Sequence, residues 1–267
     1  MAPKKRSRVP SKNFQKQVRS IVLDELKEEL EEKTAVIGAY ATPITSNIPS
    51  GNVSASPNFV RLFPFVTQAN SAKQYNGRVG NEIRLKNLNI KMLLQFPGPA
   101  TLITNEASLG VRVMILKQKG TLDANAAIED FQGDKLLENG AIVTPGPAPF
   151  VGDTINLFQK INRDQFSVRY DKTFYMTRPR SETRGSAPNG EFNERNYIDT
   201  PKPVFINKTL TFGKRGLKLT FGNGASDNPT NFPYFMVIGY SSTTQVIPIS
   251  NNQMEYTYTA NAKYTDA

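Results

Sequence analysis

The side chains with the clearest chemistry are cations at the start of the chain. Residues 1–20 contain seven of them and no carboxylate: Lys4, Lys5, Arg6, Arg8, Lys12, Lys16 and Arg19. Ammonium and guanidinium groups at this density bind phosphate oxygens and release counterions, whatever the base sequence of the nucleic acid. The charge pattern therefore predicts a segment that binds a polyanion, and these seven residues are the candidate nucleic-acid-binding residues.

A second interpretation overlaps the first. The run Pro3-Lys4-Lys5-Arg6-Ser7-Arg8 resembles a nuclear import signal. The candidate import residues are Pro3, Lys4, Lys5, Arg6 and Arg8. Nuclear import receptors would then be additional partners.

The residue types used most often in catalysis are missing. The chain has no His and no Cys, which excludes Ser–His and Cys–His nucleophile pairs and the usual zinc ligands. A β-sandwich glycosidase would need two carboxylates roughly 5–10 Å apart, and Glu82, Asp171 and Glu255 are candidates. Their positions at strand ends or among lysines favour solvated surface charge. We therefore predict no enzyme, no catalytic residue and no cofactor.

One group of acidic residues raises the question of a cation at a subunit contact, since oxygen ligands suit Ca²⁺. The group is Asp123, Glu129, Asp130, Asp134 and Glu138. A solvated helix face explains the same pattern, so no metal site is predicted.

Charge divides the chain into parts. The net charge of +10 comes from +7 in residues 1–20, −4 in residues 21–34 and +7 in residues 35–267. Like charges repel in residues 1–20, and few apolar groups are available there for burial, so this arm is predicted to be disordered until it binds. The longest apolar run, near 235–240, is far shorter than a membrane span, and no membrane insertion is expected.

An acidic helix and a linker should follow the arm. Over 14–33 the apolar residues have helical spacing: Phe14, Val18, Ile21, Val22, Leu26 and Leu30. Residues 38–58 are rich in Gly, Pro, Ser, Thr and Asn and are predicted to form a linker or an extended crossing segment. The expected division is a basic arm (1–20), an acidic helix and extended linker (21–57), and a β domain (58–267).

From residue 58 onward the apolar period becomes two. About eight strands are predicted: 59–66, 82–96, 109–116, 166–176, 204–212, 217–221, 234–240 and 254–260. The alternation slips at Lys86-Asn87, which predicts a β-bulge. The segment 166–176 suits one long strand or a hairpin that turns at Asp171-Lys172.

The remaining segments are predicted to be a short helix and loops. Residues 123–131 suggest a helix capped by Asp123 and stopped by Gly133. Residues 139–154 should form a loop, and the polar stretch 179–203 a long outward loop. Connections of such unequal length suit two sheets rather than an even meander. The fold class is therefore all-β: a single jelly-roll β-sandwich with a basic arm and a short N-terminal helix.

Three segments resemble one protein family. The first is Arg78-Val-Gly80-Asn81-Glu-Ile-Arg-Leu-Lys-Asn-Leu-Asn-Ile-Lys91, the second Phe166-Ser-Val-Arg-Tyr-Asp-Lys-Thr-Phe174, and the third the end from Tyr256 to Asp266. Together they resemble the capsid proteins of small circular single-stranded DNA viruses that encode a replication initiator. The segments span most of the body in the expected order.

The resemblance implies a jelly-roll subunit that assembles with copies of itself into an icosahedral shell of about sixty copies or a multiple. It also implies an inward basic arm that packages viral single-stranded DNA, with the protein located in the virion and in the host nucleus during assembly. Many relatives have a longer, Arg-dominated arm. Since this arm is shorter, some body cations are also expected to face inward, and Arg84, Lys86 and Lys91 could face either way.

Two alternatives stay open. A single-strand-binding β protein that does not assemble would present aromatic stacking platforms. Tyr256, Tyr258 and Tyr264 are eligible, although they share the parity of Met254 and Ala260 and are expected to face the core. A coat protein of a small RNA virus also fits, because nothing in the arm reads the 2′-hydroxyl.

Overall fold

The computed structural model describes residues 12–29, 31–69, 76–97, 108–139, 146–177, 202–223, 226–243 and 252–266. Two α-helices lie in these ranges, α1 (Lys12–Glu29) and α2 (Ala124–Glu129). The strands are β1 (Lys33–Ile44), β2 (Phe59–Arg61), β3 (Glu82–Gln95), β4 (Ser108–Gln118), β5 (Leu137–Asn139), β6 (Gly146–Ala148), β7 (Phe166–Thr177), β8 (Val204–Thr211), β9 (Leu217–Thr220), β10 (Tyr234–Ser242) and β11 (Met254–Asp266).

The larger strands form two antiparallel sheets. One has the order β1-β11-β3-β8, with β9 also paired to β3, and the other has the order β2-β10-β4-β7. The pairs are first with last (β1 and β11), second with second-last (β2 and β10), and so on inward to β4 and β7. A long antiparallel hairpin rolled into two layers gives this order, which confirms the predicted jelly roll.

The main core lies between the two sheets. It is built from alternate side chains of the strands, including Ile90, Met92, Val113, Ile238 and Tyr258. A second apolar cluster covers the outer face of the four-stranded sheet, where Phe131, Phe150 and Leu157 pack on side chains such as Met114 and Val237. Strand β4 is therefore buried on both faces, as its nearly continuous apolar sequence indicates.

The bulge predicted from the alternation is confirmed. Along β3, Lys263 pairs with Asn87 and the next residue of β11, Tyr264, pairs with Leu85, so Lys86 is the extra residue. On the other side of β3 the partner strand is interrupted at the same place, because β8 pairs with residues 87–94 and β9 with residues 82–85. Thus β8 and β9 together occupy one position of the jelly roll.

Two further local predictions are resolved by the structure. Residues 166–177 form one continuous strand, β7, so the hairpin alternative at Asp171-Lys172 is wrong. The Asp123 carboxylate caps α2 by accepting a hydrogen bond of 2.8 Å from the Ala126 amide, as predicted. The helix ends at Asp130, however, and Gly133 instead begins a 3₁₀ turn that runs to Lys135.

The N-terminal boundaries differ from those expected. Helix α1 begins at Lys12, so residues 12–20 of the predicted disordered arm are helical. Residues 33–44 form β1, an edge strand, and only the rest of the predicted linker is irregular. Part of the predicted 139–154 loop forms β6, which pairs with β5. The loop expected at 179–203 lies almost wholly outside the described residues. Among the described helices, none is long and apolar enough to cross a membrane.

Candidate nucleic-acid interface

Three of the seven predicted phosphate-binding cations lie on α1. Lys12, Lys16 and Arg19 are four and three residues apart, so they share one face of the helix, and all three are exposed. Phe14, Val18 and Ile21 have the same spacing on the opposite face and are 56%, 41% and 59% exposed. The first half of α1 therefore presents a cationic stripe to solvent.

The other four cations lie outside the described residues. Lys4, Lys5, Arg6 and Arg8 precede the first described residue, Lys12. The import candidate, which adds Pro3 to these four, lies there too, and both assignments stay predictions.

A buried ion pair fixes the place where the N-terminal segment joins the body. The Lys33 ammonium is almost fully buried and lies 2.6 Å from the Asp266 carboxylate, and it also donates to the Gly77 carbonyl at 2.9 Å. The second Asp266 oxygen accepts from the Val79 amide. Removing Lys33 or Asp266 alone would leave the other charge poorly compensated, so the pair defines where the start of β1 lies against the end of β11.

The body cations predicted from β3 lie near one sheet surface. Arg84 and Lys91 project from the outer face of the five-stranded sheet, opposite to the buried Ile83, Leu85 and Ile90, and Lys86 lies at the bulge. Uncharged polar side chains lie between these cations: the Asn89 amide, for example, donates to the side-chain oxygens of neighbours on β8.

A second group of cations was not singled out from the sequence. Arg169 and Lys172 of β7 and Lys208 of β8 come together where the edge strands of the two sheets meet, and each lies over an aromatic ring. The sequence contained a sign of this group, because two of its lysines stand where the strand alternation calls for an apolar residue. Lys172 occupies the parity of Tyr170 and Phe174, and Lys208 lies between the buried Ile206 and Leu210.

The three carboxylates considered for hydrolysis do not form a pair. Glu82 begins β3 and bonds Lys218 at 2.9 Å, whereas Glu255 bonds Gln95 at the other end of β3. At a strand rise of about 3.3 Å per residue, these two carboxylates are roughly 40 Å apart. Asp171 accepts two hydrogen bonds, of 2.8 and 2.7 Å, from the Arg112 guanidinium. These three residues therefore lack the spacing of a glycosidase pair.

Three of the five acidic residues considered for Ca²⁺ have separate roles. Asp123 caps α2, Asp134 accepts a hydrogen bond of 3.0 Å from the Ser50 hydroxyl, and Asp130 accepts one from the Gln132 amide. No group of three or more potential metal ligands occurs in the ranges that the structure describes.

The three tyrosines of β11 lie in the core, as predicted. Tyr256, Tyr258 and Tyr264 are 4%, 5% and 0% exposed, and the Tyr258 hydroxyl donates to the Arg61 carbonyl at 2.8 Å. Burial raises the pKa of each of these tyrosines to about 12. They are therefore protonated core residues and cannot act as stacking platforms for bases.

Comparison of the sequence with models of known protein families gave no match, and comparison with curated protein sequences gave no significant match.

Proposed function

We propose that this chain is a viral capsid (coat) protein that self-assembles into an icosahedral shell and packages circular single-stranded DNA through its basic N-terminal segment. The observation that carries the proposal is the combination of two features. The body is a rolled hairpin with the sheet orders β1-β11-β3-β8 and β2-β10-β4-β7. The helix that precedes the first strand of that body carries a cationic stripe on its first half.

A shell subunit must be a stiff tile, and the body suits this task. Two packed sheets share one continuous core, and a second apolar cluster supports the four-stranded sheet from outside. A closed shell repeats each contact many times, so modest contacts between copies add up. The family resemblance of the three sequence segments supports the same conclusion.

The basic segment suits packaging without sequence preference. Its seven cations would neutralise on the order of 420 phosphates in a shell of about sixty copies, taking one phosphate per cation. A genome of a few thousand nucleotides would need further cations, so some body Lys and Arg residues should take part. The location proposed for the protein is the virion, with assembly in the host nucleus after import directed by Pro3 to Arg8.

Neutralising the segment tests the packaging role. Replacing all seven cations by Gln should leave shells visible by electron microscopy but lower their nucleic-acid content several-fold, because the counterion-release term is lost. The content is measured as the ratio of absorbance at 260 and 280 nm. The matched control exchanges Lys for Arg and Arg for Lys at the same positions; it keeps the charge and should package normally.

Two outcomes would contradict the proposal. A monomer that binds oligonucleotides stoichiometrically on a sizing column at low salt would indicate a binding protein that does not assemble, an alternative that the cations at the β7 and β8 edges favour. Packaged nucleic acid that is degraded by ribonuclease and resists deoxyribonuclease would indicate an RNA-virus coat protein.

A further inference from the structure

The open side of the sandwich between β7 and β8 has an unusual composition. These strands are the edges of the two sheets, and they face each other, since the Lys208 ammonium lies 5.3 Å from the centre of the Tyr170 ring. Tyr170 and Lys172 pair in register with Ile115 and Val113, whose side chains are in the main core. Two lysines therefore occupy core-facing positions at the mouth of the sandwich.

A third cation completes the group. The Arg169 guanidinium lies 5.1 Å from the centre of the Tyr234 ring, and its Nε and Nη2 donate to the Tyr234 hydroxyl at 3.3 and 2.7 Å. The Lys172 ammonium lies 5.0 Å from the centre of the Phe174 ring. Each cation is held over an aromatic face, which fixes its position without cancelling its charge. We call Arg169, Lys172 and Lys208 the edge cations.

No carboxylate neutralises the edge cations among the described residues. Asp171, their nearest acidic neighbour in sequence, is on the opposite face of β7, where the Arg112 guanidinium binds both of its oxygens. Beside Arg169 and Lys208 lies a pocket of about 150 Å³, whose other lining residues are Thr209, Leu210, Thr211 and Phe212. Three uncompensated charges beside a pocket create a local potential that attracts an anion.

We propose that the edge cations bind the phosphodiester backbone of a single-stranded nucleic acid and so attach it to the folded body. A single strand is flexible enough to enter the mouth between two strands, and backbone phosphates spaced along it can reach all three cations. Cations interleaved with aromatic rings are the usual composition of such a groove. The choice of ligand rests on the proposed function, whereas the geometry of the site does not.

Protection of the sheet edges explains part of the same pattern. Inward-pointing charges on edge strands prevent two sheets from pairing edge to edge, and that role needs no ligand. Edge protection does not require a third cation, Arg169, near the two lysines, and it does not require a pocket beside them. The two explanations differ in what is lost when the charges are removed.

The test uses the full chain with its seven N-terminal cations changed to Gln, so that binding by the body is measured alone. Fluorescence anisotropy with a labelled oligothymidylate gives the affinity at several salt concentrations. In this background we compare Arg169→Gln/Lys172→Gln/Lys208→Gln with the charge-matched control Lys119→Gln/Lys160→Gln/Arg163→Gln, whose residues are exposed and lie outside β7 and β8.

We expect the edge variant to bind at least about tenfold more weakly than its parent, and the slope of log affinity against log salt to fall by about two, as for three lost phosphate contacts. The control should change affinity less than threefold. Ultraviolet cross-linking of the parent should place the oligonucleotide on peptides from β7, β8 or β10.

Three results would overturn the inference. Equal weakening in both triple variants would mean diffuse attraction by the net charge. Unchanged affinity together with new dimers on a sizing column would mean that the lysines only protect the edges. Cross-links confined to other peptides would place binding elsewhere. A failure of the proposed function is distinguishable, because a monomer without shells could still bind and cross-link at this edge.

Discussion

At the residue scale, the first of the three segments that show the family resemblance contains the most thoroughly buried cation among the described residues. Arg78 is 0% exposed, and its guanidinium donates to the carbonyls of Val66, Asn223 and Ser226 while lying 4.3 Å from the centre of the Phe221 ring. It therefore joins three separate chain segments at one end of the sandwich. The sequence placed this arginine just before the predicted strand 82–96, but partners about 145 residues away cannot be inferred from spacing.

Buried tyrosines give the protein a predictable response to alkali. Burial raises the pKa of Tyr240, Tyr256, Tyr258 and Tyr264 to about 12, whereas tyrosines in the unfolded chain titrate near their usual value of about 10. The unfolded chain loses these protons first. The stability linked to the four groups is therefore complete below about pH 10 and is lost progressively as the pH rises to about 12.

This prediction is checked by measuring the free energy of unfolding with denaturant at several values between about pH 9 and 12. Tyrosinate absorbance is followed over the same range. Tyr240→Phe removes one of the four titrating groups and should make the loss of stability with pH less steep. Tyr40→Phe is the control, since that ring is 86% exposed, and its curve should match that of the unmodified protein. Ionisation of the buried tyrosines well before unfolding would contradict the prediction.

At the element scale, strands were predicted correctly where apolar and polar residues alternate clearly. A strand is present at each of the eight predicted places, although the one predicted over 59–66 covers only Phe59–Arg61, and the parity slip at Lys86-Asn87 located the bulge. The same reasoning missed β1. On that strand small residues such as Ala35 and Ala39 face the core, while Val36 and Tyr40 are 60% and 86% exposed, so apolar side chains on both faces hide the period. Strands β5 and β6 are three residues each and depend on tertiary pairing.

The candidate site was predicted less completely than the fold. Lys12, Lys16 and Arg19 are exposed as a charge-rich segment requires. Lys172 and Lys208 were missed because a single Lys that interrupts an apolar parity is usually an outward residue. Arg169 was missed because it shares its parity with the polar residues Ser167 and Asp171. Only the pairing of β7 with β4 and of β8 with β3 shows that Lys172 and Lys208 face each other's sheet.

The turn between β8 and β9, which lies beside the bulge, offers an element-scale test. Gly213 and Gly216 lie between β8 and β9 with φ of +75° and +70°, in the left-handed region. A Cβ on Gly216 would lie 2.8 Å from the Leu85 carbonyl oxygen at the bulge, whereas one on Gly213 would meet nothing within 4 Å. Gly216→Ala therefore combines a backbone cost with a steric clash, and Gly213→Ala has only the backbone cost.

We expect Gly216→Ala to lower the free energy of unfolding by about 2–4 kcal/mol and Gly213→Ala by about 1 kcal/mol. Chemical denaturation of both variants measures the difference. Equal losses of stability in the two variants would mean that the turn can move away from the bulge at no cost. The close fit between this turn and the bulge would then not contribute to stability.

At the scale of the whole molecule, stability and the proposed nucleic-acid binding belong to different parts of the chain. The described side chains of α1 are exposed, and the core is made by the strands and the second apolar cluster. The rolled hairpin pairs residues more than 200 positions apart, such as Lys33 with Tyr264. Its stability must therefore come from these distant pairings and their packing rather than from the N-terminal segment.

Deleting residues 1–20 should change the thermal midpoint of the body by less than about 3 °C, since less than about 1 kcal/mol of contact energy is removed. Calorimetry of the full and shortened chains checks this result, and the shortened chain should still form shells. A larger drop would show that α1 packs on the body. Loss of every shell with an unchanged midpoint would make the segment an assembly element.

The pairing of the first strand with the last has a practical consequence. Lys33 and Asp266 are in direct contact, so a peptide fused at the end of β11 begins beside the start of β1, the strand that follows the N-terminal helix. In a container whose basic segments point into the lumen, that fusion becomes enclosed cargo, hidden from an added protease. If the basic segment instead lies outside the shell, the same fusion is exposed to the protease. One digestion therefore shows which side of the subunit faces the lumen.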